Sequence, residues 1–263
     1  MAHHVMDLFS LKGKTALITG GSRGLGLQMA QALGEAGARV MLSARKADEL
    51  EHGCTTLKAQ GIDAQWIAAD CAQEADINRL AAESLERLGG IDILINNAGA
   101  SWGAPAEEHP TEAWDKVMNL NVRGYFLLSK AVANGCMIPR KSGSIINISS
   151  IAGLGGNPEG MQTIAYNTSK GAVITFTQTL AAEWGVHGIR VNAICPGFFR
   201  TKMANGLIDH LGEERLAKGA PLRRLGDDED LKGLTLMYAS AAGKHITGQW
   251  MAVDGGVSAV TAG

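Results

Sequence analysis

The feature that most constrains this chain is an alternation of short apolar runs with segments of helical period, kept up over most of its length. Thr15–Thr19, Arg39–Ser43, Ala64–Ala69, Ile91–Ile95, Ser144–Ile148, Arg190–Ile194 and Trp250–Val253 read as seven buried strands. Between them, helix-period segments run over about Leu25–Ala36, through Leu50 and Leu57, over Ile77–Leu88, Thr111–Ile138 and Tyr166–Trp184. The long Thr111–Ile138 stretch is expected to break near Asn121. Strand–helix alternation implies right-handed crossovers and a parallel sheet covered on both faces. The expected fold is therefore α/β, a doubly wound, Rossmann-like and mostly parallel seven-stranded sheet. It forms a single domain over residues 1–263. Its least regular stretch, about 197–225, is placed over the carboxyl ends of the strands, where such folds bind ligands.

Composition narrows the function. Of the 263 residues, 46% are hydrophobic and 19% charged, which supports a large core and argues against disorder. The formal net charge of -2 gives no reason to expect nucleic acid or a membrane surface as a partner. No apolar run is long enough to cross a bilayer, and the first ten residues lack the apolar stretch of a signal peptide. Cys54, Cys71, Cys136 and Cys195 show no CxxC spacing, and no Cys/His cluster has metal-ligand spacing. Four free thiols in a reducing cytoplasm is the expectation, with no metal and no role for His3 or His4.

The first strand runs into Thr19-Gly20-Gly21-Ser22-Arg23-Gly24-Leu25-Gly26. Gly20 is expected to make the turn, Gly24 to admit a pyrophosphate against the backbone, and Gly26 to let the helix pack on the strand. The amides at the helix start then face the phosphates. The second strand ends Ser43-Ala44-Arg45, without the acid that would hold a ribose 2′-hydroxyl. Arg45 and Arg23 suit a 2′-phosphate instead, favouring NADP over NAD. Two solvated surface arginines are the plainer alternative. Asp70 either accepts a bond from the adenine amino group or forms a turn.

Taken in order, the motifs identify a resemblance. They are Thr19-Gly20-x-x-x-Gly24-x-Gly26, Asn96-Asn97-Ala98-Gly99, Asn121, Ser149-Ser150, Tyr166-x-x-x-Lys170, Pro196-Gly197 and Asp254-Gly255-Gly256. Over nearly its whole length the chain resembles the short-chain dehydrogenase/reductase family. The opening Asp7–Leu11, the stretch Pro196–Thr201 and the ending are similar to gluconate 5-dehydrogenases, with 3-oxoacyl-acyl-carrier-protein reductases sharing almost as much. The resemblance implies reversible hydride transfer between NADP(H) and a carbonyl or secondary alcohol, with a sugar acid foremost, a 3-oxoacyl thioester as the alternative, and a steroid-like ketone or small xenobiotic also open as substrate. It also implies a homotetramer. A regulator that binds NADP without turnover is the rival from another class.

Tyr166 and Lys170 stand four apart on one helix face. A free phenol titrates near pH ~10, and a neighbouring ammonium would lower that value. The resemblance makes Tyr166 the acid/base, Lys170 its tuner and a ribose ligand, Ser150 the polariser of the substrate oxygen with Ser149 as runner-up, and Asn121 the holder of a proton-relay water. Around the cofactor it places Gly20, Ser22, Arg23, Gly24, Leu25, Gly26, Arg45, Asp70, Cys71, Asn97, Ala98, Gly99, Tyr166, Lys170, Pro196, Gly197 and Thr201. For Asn97–Gly99 a structural turn, and for Thr201 a helix N-cap, fit equally well. Ser101-Trp102-Gly103 reads as a pocket wall. Tyr166 follows Ser150 by 16 positions, a longer separation than is usual in the family. The extra residues fall within 154–164, a loop expected to border the substrate. The acidic run Asp227–Asp230 reads as a solvated helix N-terminus.

Overall fold

A computed structural model describes residues 4–158 and 160–260; His3 and Glu159, the latter within the 154–164 loop, lie outside them. Seven strands form one sheet, β1 (Thr15–Thr19), β2 (Arg39–Ala44), β3 (Ala64–Ala68), β4 (Ile93–Asn96), β5 (Gly143–Ile148), β6 (Ile189–Pro196) and β7 (Trp250–Val253). They lie in the order β3-β2-β1-β4-β5-β6-β7, and every pairing is parallel. The expected doubly wound fold is the observed one.

Successive strand residues point to opposite faces, and each face has its own core. Ala16, Ile18, Val40, Leu42, Ile95 and Ile146 meet helices α1 (Gly24–Glu35), α2 (Ala47–Ala59) and α10 (Lys232–Ala239). Leu17, Met41, Leu94, Ile145 and Val191 meet α3 (Glu74–Leu88), α5 (Gly124–Val132) and α7 (Ile164–Trp184). Both sides of β1 are apolar because both are covered, and all five of its residues are buried. The ends of α3 show why the helices stop where they do. Glu74 and Asp76 lie in the first turn, Arg87 in the last, and Gly89 closes the helix at φ 72°.

Two expectations change. The long helical stretch does not break near Asn121. Helix α4 (Thr111–Met118) widens through a π turn, Asn119–Arg123, into α5, and a second π turn, Ala133–Met137, leads to α6 (Ile138–Arg140). The backbone stays helical throughout, with Met118 at φ -64° and Gly124 at φ -59°. One extra residue in the turn is accommodated within the helix. The stretch 197–225 is also less irregular than expected. Thr201 accepts bonds from Ala204 and Asn205 and so starts α8 (Asn205–Leu211), and Gly212 at φ +86° separates it from α9 (Glu213–Gly219).

Strand order reverses between β1 and β4, which opens a crevice at the carboxyl edge of the sheet. Residues 20–26, 97–100, 149–150 and 197–201 all follow strands at this edge. A very tight contact lies in the glycine turn, where a Cβ on Gly26 would lie 2.3 Å from the Gly20 carbonyl oxygen. Gly26→Ala is therefore expected to lose about 2 kcal/mol of stability, read from urea unfolding, because α1 must move off β1.

Candidate active site

Gly20 turns the chain at φ +62° and Gly24 again at φ +54°. Arg23, the residue before α1, contributes no side-chain cap, so the first-turn amides are not closed off by it. A Cβ on Gly24 would reach Thr201, at 3.4 Å from its Cγ2 and 3.7 Å from its Cβ. The segment after β6 thus faces the glycine turn across the crevice. This cradle of glycine backbone at an uncapped helix start fits a pyrophosphate.

Asn97 has a defined part in shaping that cradle. Its Nδ2 donates to the carbonyls of Thr19 and Gly20, and Thr19 Oγ1 accepts from the amides of Asn97 and Ala98. The turn after β1 is thereby laced to the end of β4. Asp70 takes the turn-forming part, its Oδ1 accepting from Ala72 N. Cys71 buries its side chain in the core, and burial pushes the thiol up to about 12. Pro196 ends β6, and Gly197 lies so close to Asp254 that a Cβ would be 2.7 Å from the Asp254 Cβ. Asp254 in turn accepts from Gly256 N and Ser258 N. Among the acidic residues, Asp230 accepts from Arg224 and Asp228 from Gln28. With Asp227, Asp228 and Glu229 exposed just before α10, the 227–230 run is the solvated helix approach expected, with these bonds added.

Lys170 is 3% exposed, deep between β5 and α7. Its Nζ donates to the Ile148 carbonyl oxygen at 2.7 Å and stands over the rings of Tyr125 and Tyr166, 5.7 and 5.5 Å from their centroids. Gly99 completes the enclosure. A Cβ there would lie 3.3 Å from Asn121 Oδ1 and 3.7 Å from Lys170 Nζ. The buried Asn121 ties this wall together, its Oδ1 accepting from Ala100 N and its Nδ2 donating to Ala100 O and Ser169 Oγ. With both N–H groups committed, a relay water at Asn121 must be held by its main-chain carbonyl or the remaining Oδ1 lone pair.

The adjacent serines part ways. Ser149 is buried, and its Oγ donates to the Lys170 carbonyl at 2.7 Å. The Ser150 side chain lies near enough to the Tyr166 phenol to favour its ionised form, and its Oγ accepts from Ala152 N. Ser150 is the hydroxyl beside the phenol, while Ser149 braces α7.

The titration behaviour departs from the sequence expectation. Burial pushes the Tyr166 phenol above its ordinary value, and the nearby Ser150 side chain only partly opposes this. Burial also pulls the Lys170 ammonium down, to about 8. The expected lowering of the phenol by Lys170 is not the dominant effect, because desolvation weighs on both groups and the ammonium is directed at Ile148.

Around this centre, Trp102 is 46% exposed at the rim. Ala104 pairs with Thr163 in an isolated parallel bridge. The 154–164 loop is pinned to the first turn of α7. Asn157 Nδ2 donates to Thr163 Oγ1 and to Asn167 Oδ1, and Asn167 Nδ2 donates back to Asn157 Oδ1. The long loop is thus tied to the residue that follows Tyr166. Arg45 is exposed, and among the described residues it has no ion pair, whereas Arg23 pairs with Glu49. Ser169, Tyr125 and Glu49 were not singled out from the sequence. Ser169 had one signal, its place beside Lys170; for the other two only the fold brings them to the site.

With this geometry in view, comparison with known proteins is direct. A family model described as short chain dehydrogenase matches residues 14–211. The chain belongs to that family. It is 40% identical to the gluconate 5-dehydrogenase of Gluconobacter oxydans, over 96% of this chain and 97% of that protein. It is also 40% identical to the rhamnolipids biosynthesis 3-oxoacyl-[acyl-carrier-protein] reductase of Pseudomonas aeruginosa, over 94% and 97%. Among solved structures, a gluconate 5-dehydrogenase from Burkholderia cenocepacia in complex with NADP and tartrate matches with TM-score 0.92 and 35% identity, over 98% of this chain and 100% of that one.

Burying Lys170 has a consequence for stability. A lysine whose folded-state value falls from 10.5 to about 8 opposes folding by about 3 kcal/mol below pH 8, and the penalty fades as pH rises to the unfolded value. Tyr125 OH also donates to the Ile148 oxygen, at 3.3 Å, so that acceptor keeps a partner without Lys170. Lys170→Met is expected to melt no lower than the parent at about pH 7, with its relative advantage shrinking between about pH 8 and pH 10.5. Scanning calorimetry across that range measures it.

Proposed function

We propose that this chain is an NADP-dependent oxidoreductase that interconverts a carbonyl compound and its secondary alcohol, with a sugar acid of the gluconate type as the foremost substrate. The observation that carries the reading is the convergence of Ser150, Tyr166 and Lys170 at the carboxyl edge of the sheet, across a crevice from an open glycine cradle.

Gly20, Ser22, Gly24, Leu25 and Gly26 would hold the pyrophosphate, and Arg23 and Arg45 the 2′-phosphate. Asp70 and the Cys71 backbone would border the adenine. Asn97, Ala98 and Gly99 would flank the cofactor, Tyr166 and Lys170 the nicotinamide ribose, and Pro196, Gly197 and Thr201 the nicotinamide. When bound, NADP(H) supplies or accepts the hydride.

The protein's own part is proton chemistry and orientation. Ser150 donates a hydrogen bond to the substrate oxygen and stabilises the charge that develops there. Tyr166 gives its phenolic proton to that oxygen in reduction and takes one back in oxidation. A phenol raised by burial stays protonated at neutral pH, which suits the reductive direction. Lys170 reaches the same space, and Asn121 anchors the path by which the proton is replaced from solvent. The segment 197–225 would cover the substrate from one side and the 154–164 loop from the other. A homotetramer in the cytoplasm is the proposed form, its assembly supported by Trp250 and Met251, apolar and exposed on the edge strand β7.

Reduction of a 3-oxoacyl thioester is the second reading. It is favoured by the equal identity to the Pseudomonas reductase and by the exposed, aromatic Trp102 beside the site. A regulator that binds NADP without turnover is disfavoured, because both Tyr166 and Lys170 are kept.

A panel of keto-sugar acids, 3-oxoacyl thioesters and simple ketones, run with both cofactors and followed by the reduced cofactor's absorbance, separates the three. Turnover confined to sugar acids supports the first reading, and turnover confined to thioesters the second. No turnover with tight NADP binding supports the regulator. Tyr166→Phe is expected to bind cofactor as the parent does and to lose turnover by about 100-fold or more. Near-parental turnover would remove Tyr166 from the acid/base role.

A further inference from the structure

Glu49 lies in the first turn of α2, beside the glycine turn. Its carboxylate forms an ion pair with Arg23, stands 3.4 Å from Lys46 Nζ and 3.8 Å from Lys202 Nζ. These cations come from three separate places: the turn after β1, the turn after β2 and the segment after β6. The Glu49 side chain is 22% exposed, whereas those of Arg23, Lys46 and Lys202 are 50%, 63% and 67% exposed. The anion is therefore the most buried member of a cluster that carries more positive than negative charge. Arg45 stands close by in sequence, exposed and without an ion pair among the described residues.

An exposed surface pair is usually worth little, and one such contact would not merit a role. Glu49 differs in that three chain segments converge on a single carboxylate. Hydrogen bonding from Arg23, above all, holds its carboxyl below the usual carboxylate range, against a smaller opposing effect of burial. It is an anion at neutral pH, paired with Arg23, one of the two arginines assigned to the 2′-phosphate.

We infer that Glu49 is a built-in stand-in for the 2′-phosphate, a carboxylate that a phosphate monoester must displace from Arg23 and that sets how strongly the enzyme prefers NADP over NAD. This rests on the reading of the chain as an NADP enzyme. A phosphate dianion arriving at Arg23 breaks the Arg23–Glu49 pair and then lies near a carboxylate that Lys46 and Lys202 still hold. Repulsion between like charges at that separation opposes NADP. A 2′-hydroxyl meets no such repulsion and can donate to the same carboxylate. Glu49 thus moderates the preference that Arg23 and Arg45 create.

The test is calorimetric binding of 2′,5′-ADP and of 5′-AMP to the full chain and to Glu49→Gln, which removes the charge and keeps the shape. Glu49→Gln is expected to bind 2′,5′-ADP at least about fivefold more tightly than the parent, with 5′-AMP changed by less than about twofold. If the parent prefers 2′,5′-ADP but Glu49→Gln binds it no more tightly, the role given to Glu49 is overturned and the NADP reading stands. If neither protein prefers 2′,5′-ADP, the NADP reading itself falls.

Discussion

The site is organised around one buried cation. Lys170 is almost without solvent, and a lone ammonium in such a place is costly unless its hydrogen bonds are met. The Ile148 carbonyl meets one, and the rings of Tyr125 and Tyr166 offer their faces. Each contact comes from a different element. Ile148 ends β5, Tyr125 lies on α5 just past the π turn, and Tyr166 opens α7. Gly99, after β4, has no side chain to fill the space where Asn121 and Lys170 approach each other. Enclosing Lys170 therefore fixes the mutual placement of one strand end, two helices and a loop.

The same logic runs through the cofactor crevice, with backbone in place of charge. Gly26 and Gly20 come closer than any Cβ would allow, and Asn97 ties the turn to β4 by two donated bonds. Asn121 and Ser169 repeat the device on the substrate side, joining residues 99–100 to α7. Polar side chains thus lash the loops at the sheet edge to the rigid elements beneath them. This is how a crevice can stay open while its walls stay ordered. The Asn157–Asn167 pair extends the lashing to the long loop, and so couples that loop to the turn of helix that carries Tyr166.

Much of this was legible in the chain itself, because its strongest signals are local. Strand–helix alternation, the glycine spacing after β1 and the four-residue step from Tyr166 to Lys170 each follow from fixed periods of rise and turn. Boundaries near polar pins were less legible. β4 begins at Ile93 and not Ile91, where Asp92 takes the Thr15 amide in its carboxylate. The π turn at Asn121 escaped detection because its backbone angles are ordinary helical ones, and no residue type marks an extra residue in a turn.

By itself, then, the sequence determined the fold class, the order of strands along the chain and the residue types able to move a proton or cradle a phosphate. Those follow from periodicity and from what each side chain can do alone. Only the tertiary structure decided which of two adjacent serines faces the phenol, since Ser149 is spent on the Lys170 carbonyl. It decided too that the phenol rises and the ammonium falls, because desolvation depends on what surrounds a group and not on its neighbours in sequence. And it decided that Arg23 already has an anion, since Glu49 lies 26 positions further on and meets it only when α1 and α2 pack on the same face of the sheet.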